Sequence, residues 1–244
     1  MANLYFDESL VATAPGRQLT ISGDEGRHAV RVSRLRVGEH TIVGNGSGLR
    51  AFGTVEELGR DSFTLTVERI EVTPAPTRRI VLVQALAKGD RDERAVEQAT
   101  EFGVDAILPW QAERSISRWS GDKAEKGVAK WSRIAREASK QSMRAWIPEV
   151  LSPVTTAELA GVNGALLALH PRGEDRLSAW RPAGDHDVYL VVGPEGGLSD
   201  AELEALTAPG PGERRIVLLG DDVLRTSSAG PAAIAVLNAS LGRW

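Results

Sequence analysis

The chain has 244 residues, 42% of them hydrophobic and 25% charged, with a formal net charge of −4 at pH 7. This composition is typical of a soluble globular protein of one large or two modest domains, and its negative charge disfavours a protein that coats nucleic acid without selectivity. The absence of cysteine excludes disulfides, thiolate metal sites and cysteine nucleophiles, and the four histidines form no close metal-spaced pair.

The first part of the chain has the pattern of a small β domain. Three β-rich runs predict strands at 40–44, 50–55 and 63–70. The turn sequence Asn45-Gly46-Ser47-Gly48 separates the first two runs. Short strands with tight turns predict a β-barrel over residues 1–72, and two prolines indicate a linker over 73–78.

Residues 79–244 alternate between strand and helix patterns, which predicts a parallel sheet covered by helices. The predicted strands are 80–87, 105–110, 164–170, 187–193 and 215–220. Four helices are predicted. The first spans 91–102 and ends before Gly103, and the second spans 123–146 with an apolar face of Trp131, Ile134, Ala135 and Ala138. The third begins with a capping box at Ser199, and the last runs through 232–240.

Two glycine-rich segments, GPEGGLS at 193–199 and LLGDDVLRTSSAG at 218–230, each lead from a strand into a helix. In open α/β sheets, ligands bind beyond the carboxyl ends of strands, where glycine allows close backbone approach. Neither segment matches the phosphate-loop or dinucleotide fingerprint, so a different ligand is indicated. Tight turns without a ligand are the alternative interpretation of Gly193, Gly196 and Gly197.

These two segments, with several others, resemble the RsmE family of SPOUT methyltransferases. The other matching stretches are 28–38 (HAVRVSRLRVG), 44–48 (GNGSG), 84–109 (QALAKGDRDERAVEQATEFGVDAILP), 137–144 (EASKQSMR) and the turn 169–172 (LHPR). The family's enzymes use S-adenosylmethionine to methylate N3 of one uridine in bacterial 16S ribosomal RNA. The chain departs from the family pattern at Ser33, at Lys140-Gln141 and at Ser227-Ser228.

The resemblance implies an α/β fold with a SPOUT-type trefoil-knotted parallel sheet over 79–244 and an N-terminal PUA-like RNA-binding β-barrel over 1–72. It also implies a homodimer that acts on 16S ribosomal RNA within the small ribosomal subunit. No apolar run approaches the roughly 18 residues of a membrane helix, and the N-terminus lacks the layout of a signal peptide. A cytoplasmic protein that needs neither a membrane nor a metal is therefore expected.

The same resemblance implies a cofactor site at the glycine segments. The residues expected to bind S-adenosylmethionine are Leu169, His170, Gly193, Glu195, Gly197, Leu218, Leu219, Gly220, Val223 and Leu224. Arg225 is expected to be catalytic, because its guanidinium can stabilise negative charge on the uracil oxygens or hold a phosphate. An ion pair with Asp221, Asp222 or Glu195 is the alternative role for Arg225, a helix N-terminal charge is the alternative for Glu195, and a structural role is the alternative for His170.

Basic residues in two places are expected to contact RNA phosphates: Arg27, His28, Arg31, Arg34 and Arg36, then Lys88 and Arg91. On a helix, Arg27, Arg31 and Arg34 would share one face. A solvated helix face is the alternative for the first set, and it is stronger for the second, where Asp90, Asp92 and Glu93 are interleaved.

Three other functions stay open at this point. They are a SPOUT enzyme with a different target, such as a ribose 2′-oxygen or guanine N1, a non-catalytic RNA-binding factor of ribosome assembly, and a small-molecule enzyme that binds phosphate at the glycine turns. The missing phosphate-loop lysine disfavours the last of these.

Overall fold

The protein consists of two compact units, which the computed structural model describes over residues 3–244. The first unit runs to Ala75 and also contains Ser139–Ile147, and the second contains Pro76–Ala138 and Pro148–Trp244. Residues 139–147, predicted to lie in the 79–244 domain, thus belong to the first unit.

The first unit is built on a five-stranded sheet. Its strands are β1 (Leu4–Phe6), β2 (Gln18–Ile21), β3 (His40–Gly44), β4 (Leu49–Leu58) and β5 (Phe63–Val72). The strand order is β1-β3-β4-β5-β2, with β1 parallel to β3 and the other pairs antiparallel. β1 and β2 are the edge strands of this sheet, which is curled into a half-barrel. The three predicted strands are confirmed, whereas β1 and β2 are too short to give a clear sequence pattern.

The predicted turn between β3 and β4 forms around Asn45. Its side-chain oxygen accepts hydrogen bonds from the backbone N–H groups of Ser47 at 2.8 Å and Leu49 at 3.0 Å. Gly46 and Gly48 have φ of +69° and +101°, a region that favours glycine. The turn therefore depends on one side-chain cap and two glycines.

A short helix, α1 (Gly23–Arg27), follows β2 and continues as one π-helical turn over His28–Val32. Arg34 then adopts a left-handed φ of +54°. Arg27, Arg31 and Arg34 would share one face only on a continuous helix, but the helical turns end at Val32 and Arg34 lies beyond them.

The second unit contains a seven-stranded parallel sheet. Its strands are β6 (Ile80–Ala85), β7 (Ala106–Trp110), β8 (Glu149–Val150), β9 (Ala165–Leu169), β10 (Asp175–Arg176), β11 (Val188–Val192) and β12 (Arg214–Leu218). The order is β10-β12-β9-β11-β6-β7-β8. The five strands predicted for this region are confirmed, and the two-residue strands β8 and β10 were not predicted.

Helices cover both faces of this sheet. They are α2 (Arg91–Glu101), α3 (Asp122–Gln141), α4 (Thr156–Ala160), α5 (Asp200–Thr207) and α6 (Thr226–Ser240), with a 3₁₀ turn at Leu177–Ala179. Alternate residues of β6 face opposite sides: Leu82 packs in one apolar cluster with residues of α2, α3 and α6, and Val83 packs in another with residues of α5. This arrangement is that of a doubly covered parallel sheet.

Helix boundaries follow the capping chemistry of the sequence. Gly103 follows α2 with φ +91°, and Ser199 caps α5 in a reciprocal pair with Glu202, as predicted. The helix predicted over 123–146 ends earlier, at Gln141, and Met143 adopts a left-handed φ of +57°. The last helix begins earlier than predicted, at Thr226, with Pro231 in its first turns.

Candidate functional site

A cleft of about 960 Å³ opens at the carboxyl ends of the adjacent strands β9, β11 and β12. Three segments line most of it: 169–171 after β9, 192–198 at the end of β11, and 217–226 at the end of β12. Parallel strands place their carboxyl ends at one edge of a sheet, which is why segments distant in sequence meet here.

This cleft gathers the residues that the sequence predicted for cofactor binding and catalysis. Those that line it are Leu169, His170, Gly193, Glu195, Gly197, Leu218, Leu219, Gly220, Val223, Leu224 and Arg225. The cleft is also lined by Arg91, which the sequence assigned to RNA contact, and by Asp221, Asp222 and Thr226, which were not predicted to bind a ligand.

The first glycine junction is a tight turn that requires small residues. A Cβ atom added to Gly193 would lie 2.5 Å from Cδ1 of Leu198, so a larger residue displaces that side chain. Gly197 has φ +69°, and its N–H donates to the carbonyl of Pro194 at 2.9 Å. A Cβ atom at Gly197 would meet no other described atom within 4 Å, so its backbone borders open space.

Two residues that follow β7 hold this turn in place. The guanidinium of Arg114 donates to the carbonyls of Gly196 at 3.0 Å and Leu198 at 3.2 Å. The carboxylate of Glu113 accepts a hydrogen bond of 2.5 Å from the hydroxyl of Ser199. No sequence pattern indicated this support, apart from the position of both residues after a predicted strand.

Glu195 is bound from the loop that precedes α2. Its carboxylate accepts hydrogen bonds from the guanidinium of Arg91 at 2.5 Å and from the backbone N–H of Lys88 at 3.2 Å. Burial acts to raise the pKa of Glu195, but these donors outweigh it and hold that pKa below its ordinary value. Glu195 is therefore ionised at neutral pH.

Arg225, at the second glycine junction, has no side-chain partner among the described residues. Asp221 pairs with Arg176 at 2.9 Å and Glu195 pairs with Arg91, so neither carboxylate is bound by Arg225. The exposed side chain of Arg225 has no hydrogen bond or ion pair within the described part of the chain, which disfavours its alternative role as a structural ion-pair partner.

His170 contributes a neutral imidazole to the cleft. Its Nδ1 accepts a hydrogen bond from the backbone N–H of Arg172 at 3.2 Å, so Nε2 carries the proton. Partial burial and the positive charge of Arg172 lower the pKa of His170 below its ordinary value of 6.5.

The basic residues near the N-terminus divide into paired and unpaired groups. Arg27 pairs with Asp24, and Arg31 pairs with Asp61 at 2.6 Å. Arg34 and Arg36 are exposed, and their side chains have no partner among residues 3–244. His28 is only partly exposed.

The second set of basic residues predicted to contact RNA consists of Lys88 and Arg91. Lys88 and Arg91 belong to the second unit, where both contact Glu195. Arg91 thus has a partner, whereas the Lys88 side chain is exposed.

No group of three or more histidine, aspartate or glutamate side chains in residues 3–244 is arranged to hold a metal ion. In the same residues, no helix is both long enough and apolar enough to cross a membrane.

Comparison with known proteins gives two matching family models. The RNA methyltransferase domain model matches residues 73–238, and the RNA methyltransferase PUA domain model matches residues 21–68.

Individual relatives match over nearly their whole length. The ribosomal RNA small subunit methyltransferase E of Mycobacterium bovis is 38% identical over 251 aligned positions, which cover 100% of this chain and 94% of the relative. The protein of the same name from Bacillus subtilis is 29% identical and covers 90% of this chain and 89% of its own. The crystal structure of ribosomal RNA small subunit methyltransferase E from Neisseria gonorrhoeae, bound to S-adenosyl methionine, has a TM-score of 0.83 and 26% identity, with 98% of each chain covered.

Proposed function

The chain belongs to the RsmE family of RNA methyltransferases, and from this membership we propose that it transfers a methyl group from S-adenosylmethionine to N3 of one uridine in 16S ribosomal RNA. The observation that carries the proposal is the single cleft that joins both glycine junctions and has the unpaired Arg225 at its edge. The names of its relatives support ribosomal RNA as the substrate class.

The cleft suits S-adenosylmethionine in size and in chemistry. Pockets for cofactors and other small molecules span about 300–1,000 Å³, and this cleft lies near the upper end of that range. Leu218, Leu219 and Gly220 offer apolar surface and backbone groups for the adenine. The turn Gly193–Gly197 offers a close backbone approach for the methionine end, and Glu195 offers a carboxylate for the ribose hydroxyls.

The remaining cofactor contacts come from the edges of the cleft. Leu169 and His170 border it after β9, and Val223 and Leu224 border it before α6. Because His170 is neutral at pH 7, it adds no positive charge beside the cationic cofactor.

When bound, S-adenosylmethionine supplies an electrophilic methyl group on a sulfonium, so the residues of the chain have to position the uridine and favour its deprotonated form. N3 of uracil must lose its proton before it attacks, and the negative charge then spreads to the ring oxygens. We propose that Arg225 donates to those oxygens, which is supported by its place at the cleft edge and by the lack of a partner for its guanidinium among residues 3–244.

Arg34 and Arg36 are the proposed main RNA contacts of the first unit. Among residues 3–244 their charges have no partner, whereas those of Arg27 and Arg31 are partly neutralised by carboxylates. We assign Arg27, His28 and Arg31 to the edges of the same surface, and Lys88 and Arg91 to the RNA strand that approaches the cleft. Contacts to phosphates position the RNA, while the cleft selects the base.

We also propose that the second unit carries a trefoil knot and that the protein acts as a cytoplasmic homodimer on the small ribosomal subunit. The late strand β12 lies between β9 and β10, two strands that precede it in the chain, and this insertion supports a threaded topology. Val223 is 81% exposed beside the partly exposed Leu224 at the cleft edge, and a second subunit would cover this apolar pair.

The proposed reaction is tested by nucleoside analysis of 16S ribosomal RNA. Small subunits from a strain that lacks this gene are incubated with the purified protein and S-adenosylmethionine, and the digested RNA is analysed by mass spectrometry. We expect N3-methyluridine to be absent beforehand and to appear at one site. A 2′-O-methyl or N1-methylguanine product would reassign the target. Failure to bind S-adenosylmethionine in calorimetry would favour a non-catalytic RNA-binding role.

A further inference from the structure

A buried series of hydrogen bonds connects the two glycine junctions. The side-chain nitrogen of Gln84 donates to the hydroxyl of Thr226 at 3.0 Å, and this hydroxyl donates to the carbonyl of Gly193 at 2.8 Å. Gln84 lies in β6 opposite Val192 of β11, and it is completely buried. Thr226 begins α6 and directly follows Arg225. Residues of three elements thus meet at one hydroxyl group.

The Gln84 amide at one end and the Gly193 carbonyl at the other determine which group donates in each hydrogen bond. The Gln84 nitrogen also donates to the carbonyl of Ala85 at 3.1 Å, which only an NH₂ group can do, so the amide has one allowed orientation. The Thr226 hydroxyl therefore accepts from Gln84 and uses its single proton on Gly193. The buried Oε1 of Gln84 has no hydrogen-bond partner in the described chain, so the amide is held through its nitrogen alone.

The residue before this hydroxyl, Arg225, is bound to α6 through its backbone. The carbonyl of Arg225 accepts hydrogen bonds from the N–H groups of Ser228 and Ala229, both at 2.9 Å, which fixes its backbone to the first turn of α6. Its side chain has no anchor among the described residues. Among the described residues Arg225 is therefore anchored through its backbone, and that backbone is tied to Gly193 through the next residue, Thr226.

We propose that Thr226 and Gln84 are positioning residues for methyl transfer, which hold Arg225 at a fixed place relative to the turn at Gly193. This inference rests on the proposed function. Gly193 belongs to the turn that binds the cofactor, and Arg225 contacts the target base, so the Thr226 hydroxyl sets the distance between the two reactants. A displacement of about 1 Å in such a geometry lowers a reaction rate by as much as about 100-fold.

The test compares Thr226→Val, which removes only the hydroxyl, with Thr226→Ser, which keeps it. We expect Thr226→Val to slow single-turnover methyl transfer by about tenfold or more, with the Kd for S-adenosylmethionine changed less than about threefold. Thr226→Ser should recover the rate to within about threefold of the wild type. Thr207→Val is the matched control, because that hydroxyl donates to Leu203 within α5 and lies outside the cleft lining.

A second measurement does not depend on activity. Amide hydrogen exchange at Ser228 and Ala229 should become about tenfold faster in Thr226→Val and stay unchanged in Thr226→Ser, because these N–H groups bond to the Arg225 carbonyl. If Thr226→Val does not fold, Gln84→Met replaces it, with the same direction expected in both measurements.

The outcomes distinguish a failure of the positioning role from a failure of the proposed function. Wild-type rate and exchange in Thr226→Val, or a Thr226→Ser variant as slow as Thr226→Val, would overturn the positioning role. If the wild-type protein methylates no RNA, the proposed function fails instead. In that case unchanged exchange in Thr226→Val would also remove the structural link between Gly193 and Arg225.

Discussion

The guanidinium of Arg91 binds the carboxylate of Glu195 at 2.5 Å, although the two residues are separated by more than a hundred positions in the chain. This ion pair joins the start of α2 to the first glycine junction. It places both a positive and a negative group on the cleft wall, and it gives Glu195 a fixed orientation before any ligand enters.

Arg91→Gln should remove a contribution to stability that depends on pH. The pKa of Glu195 is lower in the folded protein than in the unfolded chain, where it is about 4.5. The ion pair therefore stabilises the folded protein at pH values above about 4.5, and this stabilisation is lost as the pH falls through the lowered pKa. Because both side chains are partly exposed, we expect at most about 1 kcal/mol at neutral pH.

Chemical unfolding of the wild type, Arg91→Gln, Glu195→Gln and the double variant would measure this coupling. A coupling energy that persists after Glu195 is protonated would contradict the assignment.

Arg225→Gln should abolish most of the catalysis while leaving the cofactor site intact. Removing one donor to a developing anion lowers a rate by about 100-fold or more, and we expect that loss in kcat with the Kd for S-adenosylmethionine nearly unchanged. Arg181→Gln serves as the control, because that exposed arginine donates only to nearby carbonyls. Equal rates in the two variants would show that Arg225 does not act on the base.

Gly197→Ala should weaken cofactor binding more than Gly89→Ala. Gly197 and Gly89 have φ of +69° and +74°, and a Cβ atom at either would meet no described atom within 4 Å. Both substitutions therefore carry a similar backbone strain of about 1 kcal/mol, but only Gly197 lines the cleft. Calorimetry that finds the same Kd for both variants would exclude close approach of the cofactor to this turn.

His170 should make cofactor binding sensitive to acid. Its lowered pKa keeps the imidazole neutral at pH 7, and protonation at lower pH adds a positive charge beside the cationic sulfonium. Repulsion of about 1 kcal/mol between charges roughly 4 Å apart in a water-like dielectric corresponds to a roughly fivefold weaker affinity. The Kd should rise by up to this factor as the pH falls through the lowered pKa of His170, and His170→Gln should flatten the profile.

The same imidazole affects stability with a defined sign. Because its folded pKa lies below its unfolded value, its contribution to stability is present above pH 6.5 and is lost as the pH falls below that value.

Substitution of Arg34 and Arg36 by alanine should weaken RNA binding more than substitution of Arg27 and Arg31. Arg34 and Arg36 have no ion-pair partner in the described part of the chain, whereas Arg27 and Arg31 bind Asp24 and Asp61. Each lost phosphate contact lowers the dependence of log K on log salt by about 0.7 to 0.9. Salt titrations of RNA binding by the two double variants measure this difference, and equal slopes would contradict it.

Much of the second unit followed from the sequence because its elements carry local patterns. The run IVLVQA is buried over its whole length in β6, and Ser199 with Glu202 forms the expected capping box. Both glycine segments were predicted to meet at one site because carboxyl ends of parallel strands share a sheet edge. The cleft confirms that they meet.

The parts that sequence could not show depend on partners distant along the chain. Nothing local identifies Arg91 as the partner of Glu195, or Gln84 as the partner of Thr226, since each pair forms only after strands from different parts of the chain align. The spacing of Arg27, Arg31 and Arg34 suits one face of a helix, but it does not show where a helix ends. The π-helical turn that ends at Val32, before Arg34, was not detectable in that spacing.

The first unit is complete only after the segment Ser139–Ile147 has been synthesised. This unit needs residues up to Ala75 and then a stretch that ends at Ile147, so more than half of the 244 residues must leave the ribosome before it is complete. Between those stretches the ribosome has already released β6, α2, β7 and most of α3. A fragment that ends at the proline linker therefore lacks Ser139–Ile147, the segment that completes the first unit.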